Sequence, residues 1–445
     1  MIGLILFILA GYFYLNNERR YVSIFLLFTV ASAGFQIIPV EWIIMPGFGV
    51  TKPYDWVLIF CGMMFLFFPG LFLKHPLWST YNNLKYYGIV LLLLLVYSIY
   101  LRGVEVSISI RVFRNFIFFL PIFLFINISQ HSFIKLFRLL VYATTLASFC
   151  YCLQTLTGQV ILNTVGGDTV IINSETQFAR FYNLPVFIYP VVFFFFFGKR
   201  SLSLKFYNLL VAVNFLAIIF SQHRNLMLAI FCCYVLHLFL EKKINFARLF
   251  TYAAVAVIVF NVGNSLLGNR FSEGAKDISQ ASFNTSQATL NSINMSDLST
   301  TEFRYYLVVE RLQYILLNPT TSLFGIGLLT EDSRLTKSLQ FNIGLPDDAN
   351  NVSQVDTGDI IWSVLVLQFG LLGILCFILF YIYFLRKFYP FRQNIISQIG
   401  ILYIVILFIT SFYGTSILKP YTTCMVVLFA AYTWVLKRDN SISNS

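Results

Sequence analysis

Charge is what this sequence has least of. Asp, Glu, Lys and Arg together make up 11% of its 445 residues, against 58% hydrophobic residues, whereas a soluble domain carries about 25% charged residues. That deficit excludes an ordinary water-soluble enzyme. Cysteine is also sparse, and Cys61, Cys150, Cys152, Cys232, Cys233, Cys376 and Cys424 all fall in apolar runs. They read as small core residues rather than ligands or bridges. The four histidines, His75, His131, His223 and His237, are scattered, so no zinc or haem spacing exists and neither metal nor cofactor is called for. Gly325-Ile326-Gly327 lacks the strand–turn–helix frame of a nucleotide loop. No acidic pair stands in a soluble nucleotide-sugar domain, which argues against a cytoplasmic sugar-nucleotide transferase. Met1–Leu15 has no basic segment before it, so no cleavable signal peptide is expected.

Apolar runs are what the chain has instead. Tyr86–Tyr100, Asn115–Ile128, Leu184–Gly198 and Asn225–Leu240 are examples, each near the roughly 17–25 residues that cross hydrocarbon as a helix. Their backbone must be satisfied internally in lipid, which predicts helices. Long apolar blocks without period-2 alternation argue against an outer-membrane barrel. The expected fold is therefore an all-α integral membrane protein of about 12–14 crossings. Residues 1–267 form an N-terminal bundle, 268–355 one large, partly helical outer loop, and 356–445 a C-terminal bundle.

The basic residues set the topology. Arg19-Arg20, Lys74 with Lys85, Lys135 with Arg138, Lys199-Arg200 with Lys205, Lys242-Lys243 with Arg248, Arg386-Lys387 with Arg392, and Lys437-Arg438 alternate with the apolar runs. The positive-inside rule makes these faces cytoplasmic and the 268–355 loop external. The net charge of +11 thus reflects a membrane topology, not nucleic-acid binding. Nine arginines then fall outside: Arg102, Arg111, Arg114, Arg180, Arg224, Arg270, Arg304, Arg311 and Arg334. The rule disfavours them there. One reading is a pocket for an anionic membrane-borne substrate such as a polyprenyl diphosphate, since the planar guanidinium binds phosphate bidentately. The other is pairing with outer carboxylates such as Glu105, Glu302, Glu310, Glu331 and Asp332.

Four constellations carry candidate chemistry. Glu302–Leu317 reads as a helix on which Arg304 and Arg311, two turns apart, share a face and can hold a diphosphate. Gln222-His223-Arg224-Asn225 is a polar cluster between two apolar segments, with Arg224 its strongest candidate. Arg180 precedes a span containing Pro185 and either contacts substrate or anchors the interface. Asp356-Thr357-Gly358-Asp359 opens the span after the large loop, where either carboxylate can serve as a general base or the group can simply cap the helix.

The order of these elements resembles the bacterial O-antigen polymerases (Wzy-type), in the superfamily that includes the O-antigen ligases. The resemblance runs from Arg180 to about Gly373. It comprises the Arg180 segment, the Arg224 turn, the long outer loop, and Arg304 fifteen residues before Pro319. Gly325-Ile326-Gly327 and a span carrying Phe369-Gly370-Leu371-Leu372-Gly373 complete it. The N-terminal third matches only as hydrophobic spans.

The resemblance implies a metal-independent membrane glycosyltransferase in the bacterial cytoplasmic membrane, facing outward. Its donor would be a glycan on undecaprenyl diphosphate, and its acceptor the non-reducing end of a second lipid-linked repeat unit. A chain-length-regulating co-polymerase is an expected partner. Arg180, Arg224, Arg304 and Arg311 would bind the diphosphate, and Asp356 or Asp359 would activate the acceptor. Ligases carry a functional histidine eleven residues before the glycine of this span. Counting back from Gly370 gives Asp359, which argues for a polymerase. The alternatives are a ligase that uses lipid A core as acceptor, and a flippase of lipid-linked oligosaccharide. A flippase is disfavoured because no repeated halves are seen.

Overall fold

A computed structural model describes residues 1–72, 81–163, 171–172, 179–198, 202–241, 298–345, 352–355 and 360–443. The chain is mostly helical. Three helices are long and apolar enough to cross a membrane: Asn82–Leu101, Gln130–Thr157 and Ile361–Phe391. Five shorter apolar helices accompany them: Ile2–Leu15, Asp55–Phe67, Tyr207–Phe220, Arg224–Leu240 and Ile395–Thr410.

Local chemistry explains where these helices stop. Gln130–Thr157 starts at Ser129, whose hydroxyl accepts the Ser132 amide, and ends at Gly158 with φ +71°, the left-handed cap that favours glycine. The helices also carry apolar faces that the protein leaves uncovered, including Leu92 and Leu93 on one and Leu371, Leu375 and Leu379 on another. Such stripes are costly in water and natural against lipid.

One apolar run departs from the expected span. Asn115–Ile128 is not a long helix. It forms a 3-10 turn at Arg114–Phe116 and a single helical turn at Ile122–Phe125. Pro121 interrupts it, lacking an amide for a continuing helix. The run is apolar because it is core: Phe118, Ile122, Phe123 and Leu124 are fully buried. Similarly, Leu184–Gly198 contributes only the helix Ile188–Phe196, after Pro185.

The described part of the 268–355 segment is ordered around two helices, Thr300–Leu316 and Pro319–Phe324. The first begins with a reciprocal capping box, in which Ser299 and Glu302 each accept the other's amide. Loop and membrane helices share an apolar core: Ile315, Ile326, Leu329, Phe341 and Val355 pack with Val104, Val366 and Leu367. The loop's earlier part to residue 297, with the 267/268 boundary, lies outside the described residues.

Candidate functional site

Arg180 is held in a short antiparallel pairing with Ile171. The segment after it is pinned from the Gln130–Thr157 helix. Tyr151 donates to the Phe181 carbonyl at 2.8 Å, and the Gln154 amide reaches Asn183 at 3.1 Å. Gln154 also accepts the Ile161 and Leu162 amides. A buried glutamine with its donors and acceptors engaged is a rigid strut. The Arg180 guanidinium lies 4.8 Å from the Tyr182 ring centre and 3.3 Å from Nδ1 of His223. Tyr182 and His223 themselves are in ring contact, 5.7 Å apart.

His223 belongs to the polar break between the helices Tyr207–Phe220 and Arg224–Leu240. Gln222, with φ +53°, makes the corner, and Ser221 Oγ accepts the His223 amide at 3.3 Å. Arg224 is therefore the first residue of a 17-residue helix with no acidic residue in its first turn. Helix N-termini attract anions through their unpaired amides and dipole, so the Arg224 charge and the helix end reinforce each other.

Arg304 reaches the same locality from the loop. Its helix packs through Tyr306 and Leu307 on Ile343 and Ile360, with Trp362 alongside. Trp362 donates to Ser411 at 3.1 Å and its ring meets Phe412. The next residue, Tyr413, donates its hydroxyl to the Asn225 carbonyl at 3.0 Å, inside the Arg224 turn. Burial pushes the Tyr413 phenol far above its ordinary range, and the Arg304 charge acts in the opposite direction. Arg180 thus stands at the Arg224 turn through His223, and Arg304 is linked electrostatically to Tyr413, which bonds to that turn, although 124 residues separate Arg180 from Arg304.

No protein-family model matches this chain, and no curated protein matches it.

Arg311 is elsewhere, which corrects the expectation that it joins Arg304 on an open face. It is 1% exposed. Its guanidinium bonds Glu310 at 2.8 Å and the Leu307, Ser353 and Gln354 carbonyls at 3.4–3.5 Å, and lies over Phe341. Burial lowers its pKa to about 10, opposed by Glu310 and Glu331. It is a buried brace between the loop helix and residues 353–354.

Among the described residues, the arginines expected outside include four seen paired with carboxylates, Arg311 among them. The others are Arg111 with Asp332 at 2.8 Å, Arg114 with Asp55 at 2.9 Å, and Arg334 with Glu105 at 3.9 Å. Arg102 instead donates to the Ile326 carbonyl. Arg270, Asp356 and Asp359 lie outside the described residues.

Tyr413 escaped the sequence reading. Its signal was present: Ser411-Phe412-Tyr413-Gly414-Thr415-Ser416 interrupts two apolar runs just as Gln222–Asn225 does. Gly325 and Gly370, by contrast, meet as structure rather than as a ligand loop, while Gly327 packs against Ser98 and Val104. Ile326 N donates to Leu367 O at 2.8 Å, and Tyr97 donates to Gly325 O at 3.0 Å. Gly370 has φ +60° inside its helix, and a Cβ there would stand 2.4 Å from the Gly325 nitrogen. Two backbones cross with no room for side chains.

Proposed function

We propose that this chain is a multi-pass glycosyltransferase of the bacterial cytoplasmic membrane that polymerises lipid-linked oligosaccharide repeat units on its outer side. The observation that supports this reading is that Arg180 lies against His223 in the turn that opens the Arg224 helix, while Tyr413, which feels the Arg304 charge, bonds to the same turn. Those charges suit a diphosphate whose negative charge grows as it leaves the sugar. About thirteen crossings, counted from the basic clusters, would frame the site. A chain-length-regulating co-polymerase would be a partner.

In this reaction the acceptor hydroxyl attacks C1 of the donor glycan. The C1–oxygen bond to undecaprenyl diphosphate breaks, and a glycosidic C1–oxygen bond replaces it. The acceptor proton passes to a carboxylate, Asp359 or Asp356, and the diphosphate departs with the bond's electrons. Arg224 and Arg304 stabilise that departing charge, which is electrostatic catalysis at a developing anion. Arg180, positioned by Tyr182 and His223, completes the diphosphate contact.

The test is a deletion strain complemented with variants at equal membrane expression. Arg224→Ala and Arg304→Ala should each leave products of a single repeat unit, with rate losses on the order of 10²–10³. Normal-length polysaccharide from both variants would overturn the mechanism. Loss of all attached units in the deletion strain would point instead to a ligase or flippase.

A further inference from the structure

We propose that the 314–324 segment of the large loop is not external but is embedded in the outer boundary of the bilayer, touching acyl chains through Leu316, Leu317 and Leu323. This rests on the membrane reading of the Asn82–Leu101 and Ile361–Phe388 helices and is independent of the transfer reaction.

Two rulers give its depth. Gly370, against which Leu323 packs, lies 16 residues before Arg386 at the cytoplasmic end of its helix. At about 1.5 Å per residue that is about 24 Å up a hydrocarbon core of about 30 Å, hence about 6 Å below its outer edge. Tyr97, which holds Gly325, lies four residues before the end of Asn82–Leu101, a helix of 20 residues. That helix is about one core thickness long, so Tyr97 also stands about 6 Å below the outer edge. The two helices, both of which touch Gly325, agree.

The surface chemistry fits that depth. Leu317 is 76% exposed, Leu316 52% and Leu323 49%. The Leu323 backbone lies against Gly370, and Leu371, the next residue of that helix, opens the uncovered Leu371–Leu375–Leu379 stripe. Tyr100 and Leu101 are likewise exposed, and interfacial tyrosine is common at this level. The backbone is also prepared for a dry setting, where each unmet carbonyl is costly. Thr321 and Ser322 donate their hydroxyls to the Ile315 carbonyl at 2.7 and 3.0 Å, and both also bond Asn318 O at 2.9 Å. Asn318 Oδ1 accepts the Thr320 amide, and Pro319 has none to satisfy.

The test uses the full chain in phosphatidylcholine vesicles, with Cys232, the one exposed cysteine, replaced by serine. Leu317→Cys, Leu379→Cys and Asp332→Cys are each labelled with bimane. Leu379 marks the lipid face and Asp332 the aqueous loop, and all three are exposed. The label at 317 should be quenched by doxyl-phosphatidylcholine nearer to the extent seen at 379 than at 332, and be shielded from aqueous iodide. Iodide quenching at 317 equal to that at 332 would overturn the proposal. Absence of lipid quenching at both 317 and 379 would remove the membrane reading of the helices and the proposal with it. Neither result depends on enzymatic activity, so failure here leaves the proposed reaction separately testable.

Discussion

The guanidinium of Arg311 lies 4.5 Å from the centre of the Phe341 ring and is shut away from solvent, while Arg304, two helical turns earlier, is half-buried. Substitution should separate the two roles. Arg311→Ala strands the Glu310 carboxylate, 11% exposed, and breaking a buried pair from one side costs about 3–5 kcal/mol. Its thermal unfolding in detergent should fall sharply, with reduced folded yield. Arg304→Ala should lower the melting temperature less than Arg311→Ala, because Arg304 is only half-buried, yet lose chain extension. Equal melting of the two variants would refute the division. The seven-residue spacing that puts both arginines on one helix face was legible in sequence. Their separate fates were not, because burial of Arg311 comes from Phe341 and the 353–354 carbonyls, 30 or more residues downstream. Periodicity reports a face, never what covers it.

Elements add constraints that single residues lack. The Ile361–Phe388 helix is broken at Gly370, where φ is +60° and the Gly325 backbone crosses. Gly370→Ala must strain that conformation, at roughly 1–3 kcal/mol, and also push the Pro319–Gly327 turn away. A lowered melting temperature with loss of the Ile326 amide's protection from hydrogen exchange is the expected result. Unchanged protection would show that the crossing is loose. A second element is the turn after Asp332. Glu105 accepts the Arg334 amide at 3.0 Å and the Ser333 hydroxyl at 2.8 Å. The Arg334 and Glu105 backbone amides and the Ser333 hydroxyl hold its carboxyl below the usual glutamate range. A depressed acid stabilises the turn above its unfolded pKa and releases it as pH falls through the folded value. Rate-corrected exchange at the Arg334 amide should therefore rise on acidification below pH 4.5, and Glu105→Gln should abolish that pH dependence.

At the scale of the whole molecule, helices distant in sequence are tied by polar groups inside apolar surroundings. Asn214 donates to Thr145 at 2.8 Å and accepts from Ser148 at 2.9 Å, joining the Tyr207–Phe220 and Gln130–Thr157 helices. Tyr81 reaches the Ala430 carbonyl, 349 residues away. Interhelical hydrogen bonds in membranes contribute about 0.6–2 kcal/mol. Asn214→Leu should lower thermal stability in detergent by that order, and a neutral result would mean that packing alone holds the pair. Long apolar runs made the helical character readable beforehand. They also misled at Asn115–Ile128, since a run buried on all sides by protein and one facing lipid have the same composition. Pro121 was the available clue. The arginine excess singled out Arg180, Arg224 and Arg304 in the sequence, whereas the bond from Tyr413 to the Arg224 turn needed three dimensions.

The glycine crossing has a genetic corollary. Gly325 and Gly370 already carry the smallest side chain there is, so neither can shrink to compensate for growth of the other. A suppressor screen starting from Gly370→Ala should return no revertant at position 325. It should return instead changes that displace the 316–324 turn, or true reversion at 370. Loop and span would thus be inherited as a unit, and a loop transplanted from a related chain should function only with its own kinked helix.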